Sequence, residues 1–242
     1  MTPSTYYAVL LALVMGVGCA STSKDTIEAA QKALYEGHYA DAIPYIAAEL
    51  AKEEAKPVPE SSRLSHYNQS LGHAHSEAGR FEKALSFYHK ALVIRLEDEG
   101  PNGLGVANCY NNIGEVHAKK REGVKALEYC LKSLAIVRVL VPDSEEFALN
   151  CDNIGSAYNL MGEPDKALEY FQKGRDVRLK QFGPDQIDFA TTYFGMAIAY
   201  GAKKNVIKEK EFLRKAYAIQ LEQRGKDHPD TKRSKAKLDK IK

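Results

Sequence analysis

Tryptophan is absent from the sequence, cysteine occurs only four times, and neither charge predominates. The 242 residues include 34 Lys and Arg against 32 Asp and Glu, which gives a net charge of +2. Because a nucleic-acid-binding protein usually carries a clear basic excess, this balance argues against that function. Four cysteines in a chain of this length do not make a disulfide scaffold. With 44% hydrophobic and 27% charged residues, the composition is that of a folded domain.

Motifs that indicate catalysis or a cofactor are missing as well. The glycines occur singly, so no glycine-rich loop is available to cradle a phosphate. Neither the zinc-protease pattern His-Glu-x-x-His nor the pattern Cys-x-x-Cys occurs. The sequence therefore predicts a protein that is not an enzyme and that binds no metal or cofactor.

A single apolar run lies near the N-terminus, from Tyr6 to Gly18, and its 13 residues are too few to span a bilayer. No charged side chain precedes Lys24. We interpret residues 1–18 as a secretory signal peptide and exclude them from the fold prediction.

The end of this run resembles the signal of bacterial lipoproteins, in which a small residue precedes the cysteine that carries the lipid. Gly18 and Cys19 match that pattern, and residues 19–25 form a small, polar tether. The resemblance implies lipidation of Cys19 in the cell envelope. Because Ala20 rather than Asp follows, it also implies an outer-membrane lipoprotein facing the periplasm if the cell is Gram-negative. The alternative is ordinary cleavage after Ala20, which would secrete the chain into the periplasm.

The rest of the chain repeats with a period of about 42 residues, and three positions mark each copy. The first is a small residue, and a second anchor follows 12 residues later, with a third seven residues after that. The first anchors are Gly72, Gly114, Gly155 and Ala197, after Ala30 in a degenerate first copy. The second anchors are Ala42, Ala84, Ala126, Ala167 and Glu209. The third anchors are Glu49, Ala91, Ser133, Gly174 and Ala216.

Each copy is predicted to form two helices, here called its first and second helix. Apolar or ring residues recur at offsets −4, −1 and +3 from the first anchor, which is helical spacing. Pro and Gly clusters separate the copies. The predicted copies cover about 26–62, 63–105, 106–147, 148–189 and 190–231, and residues 232–242 form a basic helix that caps the last copy.

The small–Ala–Ala spacing resembles the tetratricopeptide repeat. The segments 110–114, 125–129 and 226–231 are similar to the long, 42-residue variant of kinesin light chains and many bacterial proteins. HEAT repeats have a similar period, but the small–Ala–Ala spacing does not fit them. The resemblance covers about residues 26–231 and implies an all-α fold, a right-handed α-solenoid of about five helix pairs.

In the families that this chain resembles, the first helices line a concave groove with the residues at offsets −6, −3, +1 and +4 from the first anchor. Amide side chains there can donate to and accept from a peptide backbone. Glu115 and Asp152 would make the centre negative, and Phe194 and Ile198 could receive an apolar side chain. Carboxylate-gripping relatives use Lys and Arg at these positions, which this chain lacks. The predicted groove residues are His66, Gln69, His73, Asn108, Asn111, Glu115, Asp152, Ser156, Asn159, Phe194 and Ile198.

Two groups of side chains could carry other chemistry. His73 and Glu77 are spaced to place two metal ligands on one helix face. The repeat register favours packing for the neighbouring histidines, because His75 and His117 occupy the position of tyrosines in later copies. Cys130 and Cys151 fall in apolar stripes and are predicted to be buried. A Cys109–Cys151 disulfide remains the alternative.

Together these features predict a membrane-tethered scaffold that binds a protein or an extended peptide in the groove. The identity of that partner does not follow from the sequence, and no nucleic acid is expected. The alternative function is a structural subunit of an envelope assembly or secretion complex, in which the groove is incidental.

Overall fold

The computed structural model describes residues 28, 32–34, 38–183 and 188–241. These residues are helical or lie in turns, and none of them is in a β-strand. The predicted signal peptide at 1–18, Cys19, the tether to residue 25 and the anchor Ala30 lie outside the described residues. No helix in the described part of the chain is long and apolar enough to cross a membrane.

The described helices follow one another in hairpins, which confirms the predicted all-α fold. Residues 28 and 32–34 are helical and precede α1. Short turns join neighbours, so consecutive helices run antiparallel. The bounds are α1 Tyr39–Glu54, α2 Ser61–Glu77, α3 Phe81–Glu99, α4 Leu104–Lys119, α5 Gly123–Leu140, α6 Glu145–Leu160, α7 Pro164–Phe182, α8 Asp188–Ala202, α9 Val206–Arg224 and α10 Pro229–Lys240.

The first and second helices of a copy approach closely because the first anchor is small, and in three copies it is a glycine without a side chain. A Cβ atom added at Gly72 would lie 2.8 Å from the Tyr88 ring, and one at Gly155 would lie 2.9 Å from the Phe171 ring. Phe171 also fills the space beside the next first helix, since a Cβ atom at Gly195 would lie 2.3 Å from its ring. The glycine anchors therefore allow the close contact within a helix pair, and Gly195, two residues before the anchor Ala197, allows the contact with the next copy.

A stacked ring pair repeats in four copies on the other side of this contact. His75 stacks on Phe87 with ring centroids 5.4 Å apart, and His117 stacks on Tyr129 at 5.5 Å. The later copies have the pairs Tyr158–Tyr170 and Tyr200–Phe212 at 5.7 and 5.4 Å. The predicted packing role of His75 and His117 is confirmed.

The turn inside each of the last four copies uses the same backbone conformation at the same place in the register. Residues 79, 121, 162 and 204 all have positive φ, between 58° and 75°. The next residue closes the turn by donating its N–H to a carbonyl of the first helix, as Glu122 does to His117 at 2.9 Å. Two copies use Gly79 and Gly162 here, whereas Arg121 and Lys204 adopt a conformation that costs a residue with a Cβ about 1 kcal/mol.

The first helices form the inner side of the stack. Consecutive first helices contact one another directly, α2 with α4, α4 with α6 and α6 with α8. Among the described helices, consecutive second helices have no contact of comparable extent. A stack whose first helices touch while its second helices diverge curves around the first helices, so their exposed side chains share one inner surface.

Helix α10 closes the C-terminal end, and it begins at Pro229, three residues before the predicted cap segment. Its Leu238 and the following Ile241 pack on the last copy. The Nζ of Lys237 lies 3.1 Å from the carboxylate of Glu209, which is the residue that replaces the second-anchor alanine. The cap thus supplies the counter-charge that lets an acid occupy a nearly buried anchor position.

Candidate functional site

The predicted groove residues lie on α2, α4, α6 and α8, the helices that touch along the inner side. We call this set of side chains the first-helix surface. It divides into residues that hold neighbouring helices together and residues that remain accessible. The division decides which of them can meet a ligand.

Two of the predicted groove amides, Asn111 and Asn159, are committed to holding neighbouring copies together. Asn111 is only 9% exposed and accepts a hydrogen bond from the Asn153 side chain at 3.1 Å. Asn159 donates its amide to the carbonyl of Gly195 at 3.0 Å. Each bond joins two consecutive first helices, so both residues contribute to the packing of one copy on the next. The expectation that Asn111 is a solvated groove residue therefore requires correction.

Asp152 is also committed, in a buried ionic network. The residue is only 2% exposed, and its Oδ2 lies 2.5 Å from a guanidinium nitrogen of Arg178 on α7. Arg178 also donates to Glu145 at 2.7 and 2.9 Å, while the hydroxyl of Thr192 on α8 lies 3.0 Å from Asp152. The network joins α6, α7 and α8. Asp152 is not available to give the groove a negative centre.

Arg178 stays charged in this network. Burial tends to lower the pKa of its guanidinium, but the carboxylates of Asp152 and Glu145 more than offset that effect and raise the pKa above its ordinary value. Sequence reasoning missed Arg178 because it lies on a second helix. The register could have indicated it, since it follows Ala167 by 11 residues, as Arg95 follows Ala84.

The centre of the first-helix surface carries Glu115, which is partly exposed, and a lysine that the sequence analysis missed. The Nζ of Lys119 lies 2.9 Å from Glu115, contacts Glu77 on α2, and lies 3.3 Å from Ser76. Two carboxylates therefore share one ammonium group. Lys119 lies at offset +5 from Gly114, outside the four offsets at which Lys and Arg were expected to be absent. It follows Glu115 by four residues, a spacing that places both on one helix face.

The surroundings of this centre determine which of its side chains are charged at pH 7. Burial lowers the pKa of His73, an effect that Glu77 and Glu115 only partly oppose, so its imidazole is neutral at pH 7. Burial raises the pKa of Glu115, but Lys119 outweighs it and leaves the pKa below the usual value. His73 also contacts the Tyr39 ring edge-on, with centroids 5.8 Å apart.

The N-terminal and C-terminal parts of the first-helix surface differ. His66, Gln69 and Asn108 are half-buried, and Gln69 donates to Ser65 at 3.3 Å. On α8, Phe194 and Ile198 are half-buried, and the guanidinium of Arg233 lies 4.6 Å from the centre of the Phe194 ring. Arg233 follows Thr191 by 42 residues. The cap helix therefore extends this surface by one more row and brings a second missed cation to it.

The cysteines and the histidine cluster carry no further chemistry in the described residues. Cys109, Cys130 and Cys151 are buried free thiols, so the alternative of a Cys109–Cys151 disulfide is not formed. Burial raises the pKa of Cys109 and of Cys151 to about 12, which leaves both thiols protonated and unreactive. Within the described ranges, no group of His, Cys, Asp and Glu side chains is arranged to hold a metal ion.

Comparison with known proteins agrees with this architecture. The family model of the tetratricopeptide repeat matches residues 62–138 and 144–222, so the chain belongs to the tetratricopeptide repeat family. Members of this family typically act as non-catalytic scaffolds.

Kinesin light chain-like proteins are among its relatives. Protein KINESIN LIGHT CHAIN-RELATED 1 of Arabidopsis thaliana is 26% identical over 153 residues, which are 62% of this chain and 24% of the relative. Protein KINESIN LIGHT CHAIN-RELATED 2 of the same plant is 28% identical over 110 residues, 45% of this chain and 17% of the relative. The chain thus spans a quarter or less of the length of these relatives.

Solved structures show the same fold at low sequence identity. BtubC (BKLC) from P. vanneervenii superposes with a TM-score of 0.63 at 23% identity, covering 83% of this chain and 80% of that one. A signal transduction ATPase with a tetratricopeptide repeat sensor from Pyrococcus horikoshii superposes with a TM-score of 0.62 at 21% identity. That match covers 96% of this chain and 33% of the ATPase.

The buried network yields a prediction about stability. Arg178→Ala leaves Glu145 and Asp152 buried without a counter-charge, so we expect the free energy of unfolding to fall by about 3–5 kcal/mol. Arg95→Ala is the matched control at the same register position, where the side chain is 22% exposed. It should cost about 1 kcal/mol or less. Urea unfolding of both variants measures the difference, and equal losses would contradict a special role for the network.

Proposed function

We propose that this chain is a non-enzymatic scaffold that binds a protein or an extended peptide along the first-helix surface. The supporting observation is the state of Asn108 and Ser156. Both are only half-buried on the inner side of the stack, and neither has a hydrogen-bond partner among the described residues. Polar groups that the fold leaves unused, on successive first helices, are suited to a peptide backbone.

The rest of the surface favours a particular ligand chemistry. Glu77 and Glu115 share the single ammonium group of Lys119, so the centre has an excess of one negative charge with His73 neutral. A ligand with Lys or Arg opposite this centre is favoured. At the C-terminal end, Phe194 and Ile198 offer an apolar contact for one side chain. Ordering a flexible peptide offsets much of the contact energy. We therefore expect a Kd in the micromolar range, which corresponds to a binding free energy of about −8 kcal/mol.

A groove mutation tests this proposal. The full chain is used to capture partners from a cell envelope extract, the captured protein is identified by mass spectrometry, and its segments are titrated as peptides. Asn108→Ala removes a donor and an acceptor that would pair with the ligand, so binding should weaken by about 1–3 kcal/mol. Stability should change by less than about 0.5 kcal/mol, because the Asn108 side chain has no hydrogen-bond partner among the described residues.

The matched control is Gln172→Ala, which removes an amide from the exposed face of α7. It should leave binding unchanged. If Gln172→Ala weakens binding as much as Asn108→Ala does, the partner docks on the second helices and the first-helix surface is not the site. A stoichiometric complex that Asn108→Ala leaves intact would instead support the alternative of a structural subunit in an envelope assembly.

We also propose that the scaffold is held at a bacterial membrane by lipid on Cys19. Support comes from the sequence Gly18-Cys19 and the polar residues that follow it. A single acyl chain gives only marginal membrane binding, whereas the several chains of a bacterial lipoprotein anchor a protein stably. The tether would keep the first-helix surface close to partners in the same envelope compartment.

Labelling with radioactive palmitate tests the anchor. The wild-type chain should incorporate label and sediment with membranes, and Cys19→Ala should do neither. Cys109→Ala is a control that removes a cysteine without touching the N-terminal segment. Equal labelling of wild type and Cys19→Ala would contradict the proposal, as would a wild-type chain that is unlabelled and cleaved after Ala20.

A further inference from the structure

The second helix of the middle copy, α5, differs from its neighbours on the outer side of the stack. Its exposed side chains include Val124 at 70%, Leu131 at 41% and Val139 at 72%, together with exposed Ala135. These residues and two charged ones, Glu128 and Arg138, lie within about 100° around the helix axis. We call this set of six the α5 stripe.

The repeat register shows that α5 is more apolar than its immediate neighbours at three of the six positions of the stripe. Val124 corresponds to Glu82 on α3 and to Asp165 on α7, and both of these acids are 81% exposed.

Further along the helix the same contrast holds. Leu131 corresponds to His89 and Gln172, and Val139 corresponds to Glu97 and Lys180, all of them exposed.

At two of the other positions a neighbour also exposes an apolar residue: Val93 on α3 corresponds to Ala135, and Leu179 on α7 corresponds to Arg138. Three exposed apolar side chains on one helix face, at positions where both neighbouring helices are polar, are a usual mark of a protein interface, since a monomer gains nothing from exposing them.

The charges in the α5 stripe are arranged so that it complements itself. Glu128 lies towards the N-terminal end of α5 and Arg138 towards its C-terminal end, with Leu131 and Ala135 between them. When two copies of this helix pack antiparallel, Glu128 of each faces Arg138 of the other. Leu131 then meets the small Ala135, which lets the helices approach closely. Packed parallel, the helices would instead bring like charges opposite each other.

Arg138 is suited to such a contact. It is exposed and has no ion pair among the described residues, whereas Glu128 is 58% exposed and is paired only with Lys132 on the same helix, at 2.7 Å. We propose that the α5 stripe is a docking surface for a second copy of this chain, and that the two α5 helices pack antiparallel about a twofold axis. This dimer uses the outer side of the stack and leaves the first-helix surface of each copy free.

The size of the surface sets the strength of the dimer. A standard interface buries about 800 Å² on each partner. One helix stripe on a convex face covers less than that, so the association is weak in solution, with a Kd of about 10–100 µM. Confinement to a membrane would raise the effective concentration of the two copies.

Sedimentation velocity of the full chain in a density-matched non-ionic detergent tests the proposal, over a range from about 1 to 300 µM. The wild type should shift from monomer to dimer across this range. Leu131→Asp buries a charge in the interface and should raise the Kd at least about tenfold. Ile207→Asp replaces a side chain that is 83% exposed on α9, away from the stripe, and should leave the Kd unchanged.

A charge exchange identifies the antiparallel pairing. Glu128→Arg places Arg opposite Arg138 of the second copy, and Arg138→Glu places two acids opposite each other, so each single variant should weaken the dimer. The double variant restores both ion pairs and should dimerise like the wild type. Thermal unfolding confirms that these surface changes leave the fold intact.

Three results would overturn the proposal. One is a wild-type chain that stays monomeric up to about 300 µM, including a monomer that binds a different protein through α5. Another is a dimer that Ile207→Asp weakens as much as Leu131→Asp does. The third is a double charge variant that remains as weak as the single ones, because only antiparallel α5 helices pair Glu128 with Arg138.

Discussion

The close approach of the two helices in each copy is the contact on which the rest of this structure depends. It exists because a residue without a side chain faces a large one: Gly72 faces Tyr88, and Gly155 faces Phe171. In the middle copy Gly114 faces Cys130, where an added Cβ atom would lie 2.5 Å from the sulfur. The ring stacks, the inner turns and the spacing between copies all depend on this short distance between the helix axes. The second-anchor alanines are fully buried beside it and leave no room for a larger residue.

Stacking by this contact also divides the polar residues of the inner side into two groups. Because consecutive first helices touch, some of their side chains are used to join one copy to the next, as Asn111 and Asp152 are. Others, such as those of Asn108 and Ser156, have no hydrogen-bond partner in the part of the chain that the structure describes. A ligand that binds the second group would lie directly over the bonds of the first. Binding and the stability of the stack are therefore expected to be coupled, since a ligand that touches two copies favours the arrangement in which they are joined.

The sequence predicts much of this architecture, because the period places each residue on a known side of a known helix. It identified the anchors within the described residues, the packing of His75 and His117, and the stack of consecutive helix pairs. It did not find the bonds between copies. Arg178 lies on a second helix and contacts residues on two first helices. The repeat register predicts the side of the helix on which a residue lies, but not the side chains that it contacts. Lys119 was missed because it lies at offset +5, outside the four offsets that were considered. Arg233 was missed because the groove positions were not extended into the cap helix. Arg121 and Lys204 show that the inner turn keeps its positive-φ conformation even where the residue is not glycine. The packing of the two helices on either side of the turn imposes this conformation.

The role of the first anchor is tested most directly by a double-mutant cycle on Gly155 and Phe171. On helix propensity alone, Gly155→Ala should stabilise the chain by about 1 kcal/mol. The close contact predicts the opposite, a loss of about 1–3 kcal/mol, because the new methyl group meets the Phe171 ring. Phe171→Leu makes room for that methyl, so the double variant should lose less than the sum of the single losses, with a coupling energy of about 0.5–3 kcal/mol. A stabilising Gly155→Ala, or losses that simply add, would contradict the account.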